Sequence, residues 1–410
     1  KRVPESRRGK AASSTMNLAN TIVGAGLMAL PKVVEQLGVV VGVASIVFVW
    51  ACSSVTLGYI IQESERTGHN EIGAVYKARC GATSAAANEV AIMVNNLGLL
   101  IIYLRILGDV LVGSADFQGI ITEFASRGWY CNREAVVGAL AAALLLPMCC
   151  LRSLDSLSAV SGASFGLAVV FSVVVVVLAG VEIHHSGGVK GIFWLPNPDY
   201  FDGGPIKALG SVLGVFPVIF TAYVCHYNLL HVKAELPRAM HDQLPRITAR
   251  ACAFCTLVYS AVAFFGYVLF KGGVQDDVLL NFNCKVLAPL LGKQACVAVS
   301  VFVRSIYGMT LMMTFPLIHF PLRETILGAV CFGERQPGAL LRCACAFMNI
   351  SVAFVVASAV PNIWTPLQVS GAVAAGVIGF VLPSLLHLSS PSATRQSRPA
   401  AWALLAVGLL

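Results

Sequence analysis

One uncharged stretch constrains this chain more than any other: Ser14-Thr15-Met16-Asn17-Leu18-Ala19-Asn20-Thr21-Ile22-Val23-Gly24-Ala25-Gly26-Leu27-Met28-Ala29-Leu30-Pro31. It begins a segment long enough to cross a bilayer, yet it holds two asparagines, several hydroxyls and two glycines one residue apart. A plain anchor carries none of these. Inside lipid, a broken helix is tolerated only where protein or a water-filled cavity satisfies the freed backbone groups. A break at mid-membrane depth is therefore a candidate site for a small solute or ion.

The rest of the chain places this segment in a membrane. Of 410 residues, 57% are hydrophobic and only 12% charged, against about 25% in soluble domains. Mean hydropathy is +0.79. This is the composition of a polytopic membrane protein, all-α. The net charge of +8 is read by location, not as a nucleic-acid footprint. The 13 cysteines fall mostly inside apolar runs, where they act as small core residues, and no metal-binding spacing is present. No cleavable signal sequence is evident.

Segments of spanning length fall at 14–37, 38–61, 88–112, 134–150, 157–182, 206–231, 247–270, 290–316, 339–360 and 365–387. A run at 400–410 reads as the start of an eleventh helix, cut off. Lysine and arginine are richer in the loops on the N-terminal side, which predicts a cytosolic N-terminus. Residues 63–81 read as a short cytosolic amphipathic helix with Ile72, Val75 and Tyr76 on one face. Cys131 and Cys284 lie in two non-cytosolic loops. They are a candidate disulfide in an oxidising compartment, with two unpaired thiols as the alternative.

A second unusual helix, 206–231, carries Pro217, Thr221, Tyr223, His226 and Asn228. Proline removes a donor and clashes with the preceding turn, which predicts a break near Pro217–Thr221. Breaks in spans one and six are corresponding positions of two five-helix halves. That pairing points to an inverted-repeat transporter with its site at the midplane. The division is a basic tail at 1–13, a first repeat at 14–185, a loop at 186–205, a second repeat at 206–388, and a linker with a partial helix at 389–410. Unwound segments expose amides that suit a carboxylate and carbonyls that suit a cation. A free amino acid offers both ends. The candidate substrate contacts are Thr21, Gly24, Ala25, Gly26, Thr221, Tyr223 and His226.

At these residues the chain resembles the amino acid/auxin permease family, which includes sodium-coupled neutral amino acid transporters and plant vacuolar amino acid transporters. The first-helix motif Asn17-Leu18-Ala19-Asn20-Thr21-Ile22-Val23-Gly24-Ala25-Gly26 carries the likeness. Further matches follow in order: Leu107-Gly108-Asp109, Pro147 with Leu151-Arg152-Ser153-Leu154-Asp155-Ser156-Leu157, Ala222-Tyr223-Val224-Cys225-His226-Tyr227-Asn228, Asp276-Asp277-Val278-Leu279, and Phe320-Pro321-Leu322-Arg323. The Cys-His-Tyr-Asn form is most similar to the plant vacuolar-type branch. The resemblance implies a LeuT-type five-plus-five inverted repeat with eleven helices, and secondary active transport of amino acids. It also implies, in sodium-coupled members, an ion site that maps onto Asn20 and Thr314. Thr310 shares the face of Thr314, and the carbonyls of Val23 and Asn20 complete a candidate set. The plainer reading of Thr314 is a hydroxyl bonded to a carbonyl one turn earlier.

Arg105, Asp109 and Arg304 stand within apolar spans, where charges usually face the bundle interior. Arg105 and Asp109 are four apart and could pair. The bland reading is an internal bracing network; the sharper one gives an arginine to an acidic substrate. His226 either titrates and couples transport to protons or is a hydrogen-bonded histidine beside the break. The expectation is a symporter for amino acids, with Na+ or H+ co-transported and no other cofactor. It would sit in a vacuolar, endomembrane or plasma membrane as a monomer, working by alternating access. The alternative is an amino acid sensor using the same pocket. No nucleophile–base pair or metal-ligand set marks an enzyme, and nothing points to nucleic acid.

Overall fold

The computed structural model describes residues 7–114, 117–125, 128–151, 158–201, 204–330, 338–391 and 393–409. The described residues are almost entirely helical. In chain order the helices are α1 (Arg7–Ile22), α2 (Gly26–Thr67), α3 (Ile72–Cys80), α4 (Ala82–Leu111), α5 (Ile120–Phe124), α6 (Arg133–Leu140), α7 (Leu146–Cys149), α8 (Ser158–Ser186), α9 (Pro198–Phe201), α10 (Pro205–Tyr223), α11 (His226–Glu235), α12 (Leu244–Phe270), α13 (Cys284–Leu291), α14 (Lys293–Val330), α15 (Ala339–Ala359), α16 (Trp364–Ser370), α17 (Leu382–Leu388) and α18 (Arg398–Val407).

Eight described helices are long and apolar enough to cross a membrane. The ten expected segments map onto this set with instructive differences. Spans one and two are α1, a short break and the long α2. Gly38 interrupts α2 at φ 74°, on the expected boundary between the two spans. Only glycine fits there, because an added Cβ would lie 2.2 Å from the Leu195 carbonyl oxygen. The helix restarts by donating Val39 and Val40 amides to the Phe193 and Trp194 carbonyls, at 3.1 and 3.0 Å. Span four is α6 and α7 joined by a π-helical turn, Ala141–Leu145. Span ten is α16 and α17 joined by two such turns. The final apolar run forms the ten-residue α18. Of the expected amphipathic segment, α3 covers Ile72–Cys80, with Val75 and Tyr76 buried. Residues 152–157 of the motif linking spans four and five lie outside the described residues.

One expectation is corrected on the face opposite the N-terminus. Cys284 bonds to Cys296, twelve residues on, and Cys131 is a free thiol. The pair is local because α13 and α14 are separated by the single Gly292. Their turn brings the two Cα atoms to 5.5 Å, inside the range a disulfide requires.

Packing explains how the first segment is held. α12 packs against α1, α2 and α8, and α14 packs against α4 and α8. The interior is lined by buried tyrosines, among them Tyr103, Tyr223, Tyr259 and Tyr307. A buried tyrosine normally finds a partner for its hydroxyl, and here those partners define the candidate site.

Candidate functional site

The first break is where the sequence places it. α1 ends at Ile22 and α2 starts at Gly26. The chain between them turns tightly, with the Leu27 and Met28 amides bonding the Gly24 and Ala25 carbonyls at 3.1 Å each. The second break is displaced from its expected position. Pro217 lies inside a continuous α10, and the chain unwinds later, at Val224 (ψ 99°) and Cys225 (φ −121°), before α11 resumes at His226. Neighbouring helices absorb the proline, as they do in membranes. The Pro217 carbonyl accepts from the Thr221 hydroxyl at 3.0 Å. The carbonyl-facing side of Pro217 also abuts Gly371, where a Cβ would fall 1.9 Å from that oxygen.

The two breaks meet. A Cβ on Gly26 would lie 2.6 Å from the Cβ of Ala222 and 2.7 Å from its Cα. Tyr259, on α12, donates its hydroxyl to the carbonyls of both Ile22 and Ala222, the latter at 2.9 Å. These are the carbonyl ends of α1 and α10. Tyr307, on α14, donates to the Gly24 carbonyl at 2.8 Å. Tyr103, on α4, stands over the same turn: its hydroxyl oxygen would be 2.5 Å from a Cβ on Gly24. Three tyrosines from three helices therefore fix the first break. Sequence reasoning passed over them. The available signal was a phenol inside an apolar span, which needs a polar partner.

The other expected substrate residues are engaged by their surroundings. Thr21 donates to the Asn17 carbonyl at 3.0 Å and accepts from Asn228 at 2.7 Å. Thr221 also reaches the Leu367 carbonyl on α16 at 3.1 Å. The Tyr223 hydroxyl bonds Thr256 at 2.9 Å. His226 Nε2 pairs with Thr56 Oγ1 on α2 at 2.9 Å, while its Nδ1 is buried without a hydrogen-bond partner. At the meeting of the breaks the backbone of Gly24 and Gly26 approaches Tyr103 and Ala222 too closely for a side chain.

Of the expected ion ligands, Thr310 and Thr314 are brought together with a residue the sequence did not flag. Ser164, fully buried on α8, lies 2.8 Å from the Thr314 hydroxyl and 3.2 Å from the Thr310 carbonyl. Thr314 donates to the Thr310 carbonyl, and Thr310 to the Ile306 carbonyl, at 2.8 and 2.9 Å. This is the back-bonded arrangement of the plainer reading. Asn20 and Val23 are buried near the end of α1, a helix that packs against α8 and α14. Among the described residues no group of three His, Cys, Asp or Glu side chains converges.

The intramembrane charges form a network. Arg105 and Asp109 pair at 3.5 Å. Arg133, at the start of α6, bonds Asp109, the Gly113 carbonyl at 3.0 Å and the Arg105 carbonyl at 2.5 Å. Arg304 donates to the Gln118 carbonyl. Arg133 stands at the start of α6, and its reach back into the bundle comes only with the fold.

This arrangement matches known transporters in both sequence and shape. The family model for transmembrane amino acid transporter proteins matches residues 7–408. The chain belongs to that family. It is 31% identical over 408 residues to amino acid transporter AVT6E of Arabidopsis thaliana, covering 97% of this chain and 80% of the relative. It is 31% identical over 385 residues to AVT6A of the same plant, covering 92% and 80%. Among solved structures, MhsT in complex with L-phenylalanine superposes with a TM-score of 0.64 at 12% identity, over 98% of this chain and 96% of that one. A manganese transporter of Eremococcus coleocola gives 0.62 at 12% identity, over 100% and 87%. A Na+-coupled sialic acid symporter gives 0.53 at 12% identity, over 93% and 79%. The fold is the LeuT-type five-plus-five inverted repeat, and the chain is a multi-pass integral membrane protein of a transporter family.

Proposed function

We propose that this protein is a secondary active carrier of free amino acids, working by alternating access around the two breaks and driven by a sodium or proton gradient. The observation that carries the reading is the meeting of Gly26 with Ala222 under one shared hydroxyl, Tyr259. Two helices broken at the same depth and tied at one point can tilt together without exposing backbone to lipid. The turn at Gly24–Gly26 offers amide groups at the start of α2, which suit a carboxylate. The carbonyl ends of α1 and α10 suit an ammonium or a metal cation. The hydroxyls of Ser164, Thr310 and Thr314 are the oxygens that would hold sodium, beside carbonyls of Asn20 and Val23. The repeats at 14–185 and 206–388 supply the moving pair and the scaffold. The N-terminus lies in the cytosol, in a vacuolar, endomembrane or plasma membrane.

The test is uptake of labelled neutral, acidic and basic amino acids into proteoliposomes, with sodium and proton gradients imposed separately. Gradient-driven accumulation of at least one class is expected. Saturable binding without flux would replace the carrier by a sensor.

A further inference from the structure

We propose that Asp277 is a proton-binding carboxyl of the transport cycle, loaded from the face opposite the N-terminus and emptied toward the other face when the site turns. This rests on the carrier reading above and names one titrating group within it.

The loop 271–283 is a folded plug, not a slack connection. The Asn281 side chain accepts from the Gln275 amide and donates to the Gly273 carbonyl, both at 2.8 Å. Lys32 of α2 donates to the Val274 carbonyl at 2.9 Å. Val278, Leu279 and Phe282 are buried, and the turn Val278–Asn281 packs against α2 and α4. Asp277 caps this turn: Oδ1 accepts from the Leu279 amide at 2.9 Å. Capping explains one oxygen only. Oδ2 is buried with no hydrogen-bond partner, in a residue 1% exposed.

The charged groups around it do not neutralise it by direct bonding. On α4, Asp109 is already bonded to Arg133 and paired with Arg105. On α14, Arg304 donates to Gln118, and its Nη2 has no hydrogen-bond partner; Glu123 of α5 also acts on it. On the plug itself, the neighbouring Asp276 faces Lys32. Burial, and next the Asp109 carboxylate, push the Asp277 carboxyl up to about 8, against the pull of Arg304 and Arg133. The group therefore changes charge near neutral pH, exchanging one proton with bulk water. A cavity of about 680 Å³ opens beside the cluster, lined by Arg105 and Arg133, which pair with Asp109, and by Gln118, whose carbonyl accepts from Arg304.

The charge also reaches the candidate site. Asp277 is near enough to act on Tyr307, whose hydroxyl holds the Gly24 carbonyl in the first break. Gaining or losing the Asp277 charge alters the field at a hydroxyl that ties α14 to the break.

The test compares wild type with Asp277→Asn in proteoliposomes. Asparagine caps a helical turn as well as aspartate, so the fold is kept while the titration is removed. Wild-type uptake is expected to fall across pH 8, by up to about tenfold per unit above it. In Asp277→Asn, exchange at zero gradient should become flat with pH, while accumulation driven by a pH gradient is lost. An Asp277→Asn protein that accumulates with the wild-type pH profile overturns the proposal. So does a wild type that exchanges amino acids but accumulates them only on a sodium gradient, and that result leaves the carrier reading standing. A wild type that exchanges no amino acid removes the carrier reading itself, and the proposal with it. Wild-type protein alone supplies a second arm, through dicyclohexylcarbodiimide, which adds only to protonated carboxyls. Mass spectrometry should find Asp277 modified at about pH 6.5 and spared at about pH 9; an unmodified Asp277 at the lower pH contradicts the proposal.

Discussion

Two residues define the centre of this molecule by opposite means, one by having no side chain and the other by the length of its own. Gly26 lets α2 touch Ala222 of α10, and Gly26→Val would drive a branched side chain into that backbone. Its expected outcome is loss of flux. Gly58, also within α2, has nothing within 4 Å of a Cβ. Gly58→Ala should transport normally and gain up to about 1 kcal/mol in helix stability, read as a higher melting temperature in detergent. Tyr259 reaches across from α12 to cap the carbonyl ends of both broken helices. Tyr259→Phe keeps the ring and leaves those carbonyls short of a donor. A destabilisation of about 1–3 kcal/mol is expected, with slower uptake in the same preparation. Thr314→Ala removes the hydroxyl that touches Ser164. If the carrier uses sodium here, half-maximal uptake should require more of it; an unchanged sodium dependence assigns Thr314 to back-bonding alone.

At the scale of elements, the first break was legible in the sequence and the second was misplaced, for one physical reason. Gly24 and Gly26 announce the first break locally, because glycine both unwinds a helix and permits close approach. Pro217 is the loudest signal in span six, yet α10 runs through it, since Thr221 and the neighbouring α16 accommodate the disturbance. The real unwinding at Val224 and Cys225 has no glycine or proline, and the residues flanking it bond to α12 and α2 instead. The tyrosines and Ser164 were hidden likewise: Tyr307 is 283 residues from Gly24 in sequence. The disulfide shows the same limit in reverse. Two cysteines in separate loops looked like partners, but the single-residue turn between α13 and α14 favours Cys284 with Cys296. Cys284→Ser should lower stability by roughly 3 kcal/mol in oxidised protein, the entropy of a loop this short. Cys131→Ser should leave stability unchanged, and peptide mapping without reduction should recover the 284–296 pair.

At the scale of the whole molecule, composition and segment order were enough to predict the architecture, because a repeated five-helix pattern with corresponding breaks has few other solutions. What no single sequence resolves is which polar groups face the solute and which face the scaffold. Thr221, Tyr223 and His226 read as binding residues, and each makes a hydrogen bond to a neighbouring helix, while His226 keeps Nδ1 without a partner. In a carrier of this kind, one site is exposed to the two sides in turn. Counterflow tests it directly: proteoliposomes are loaded with unlabelled amino acid, diluted into labelled amino acid, and followed without any ion gradient. Transient accumulation of label above its equilibrium level is expected in the wild type and absent in Gly26→Val. Label that rises to equilibrium without overshoot, or never enters, would contradict it.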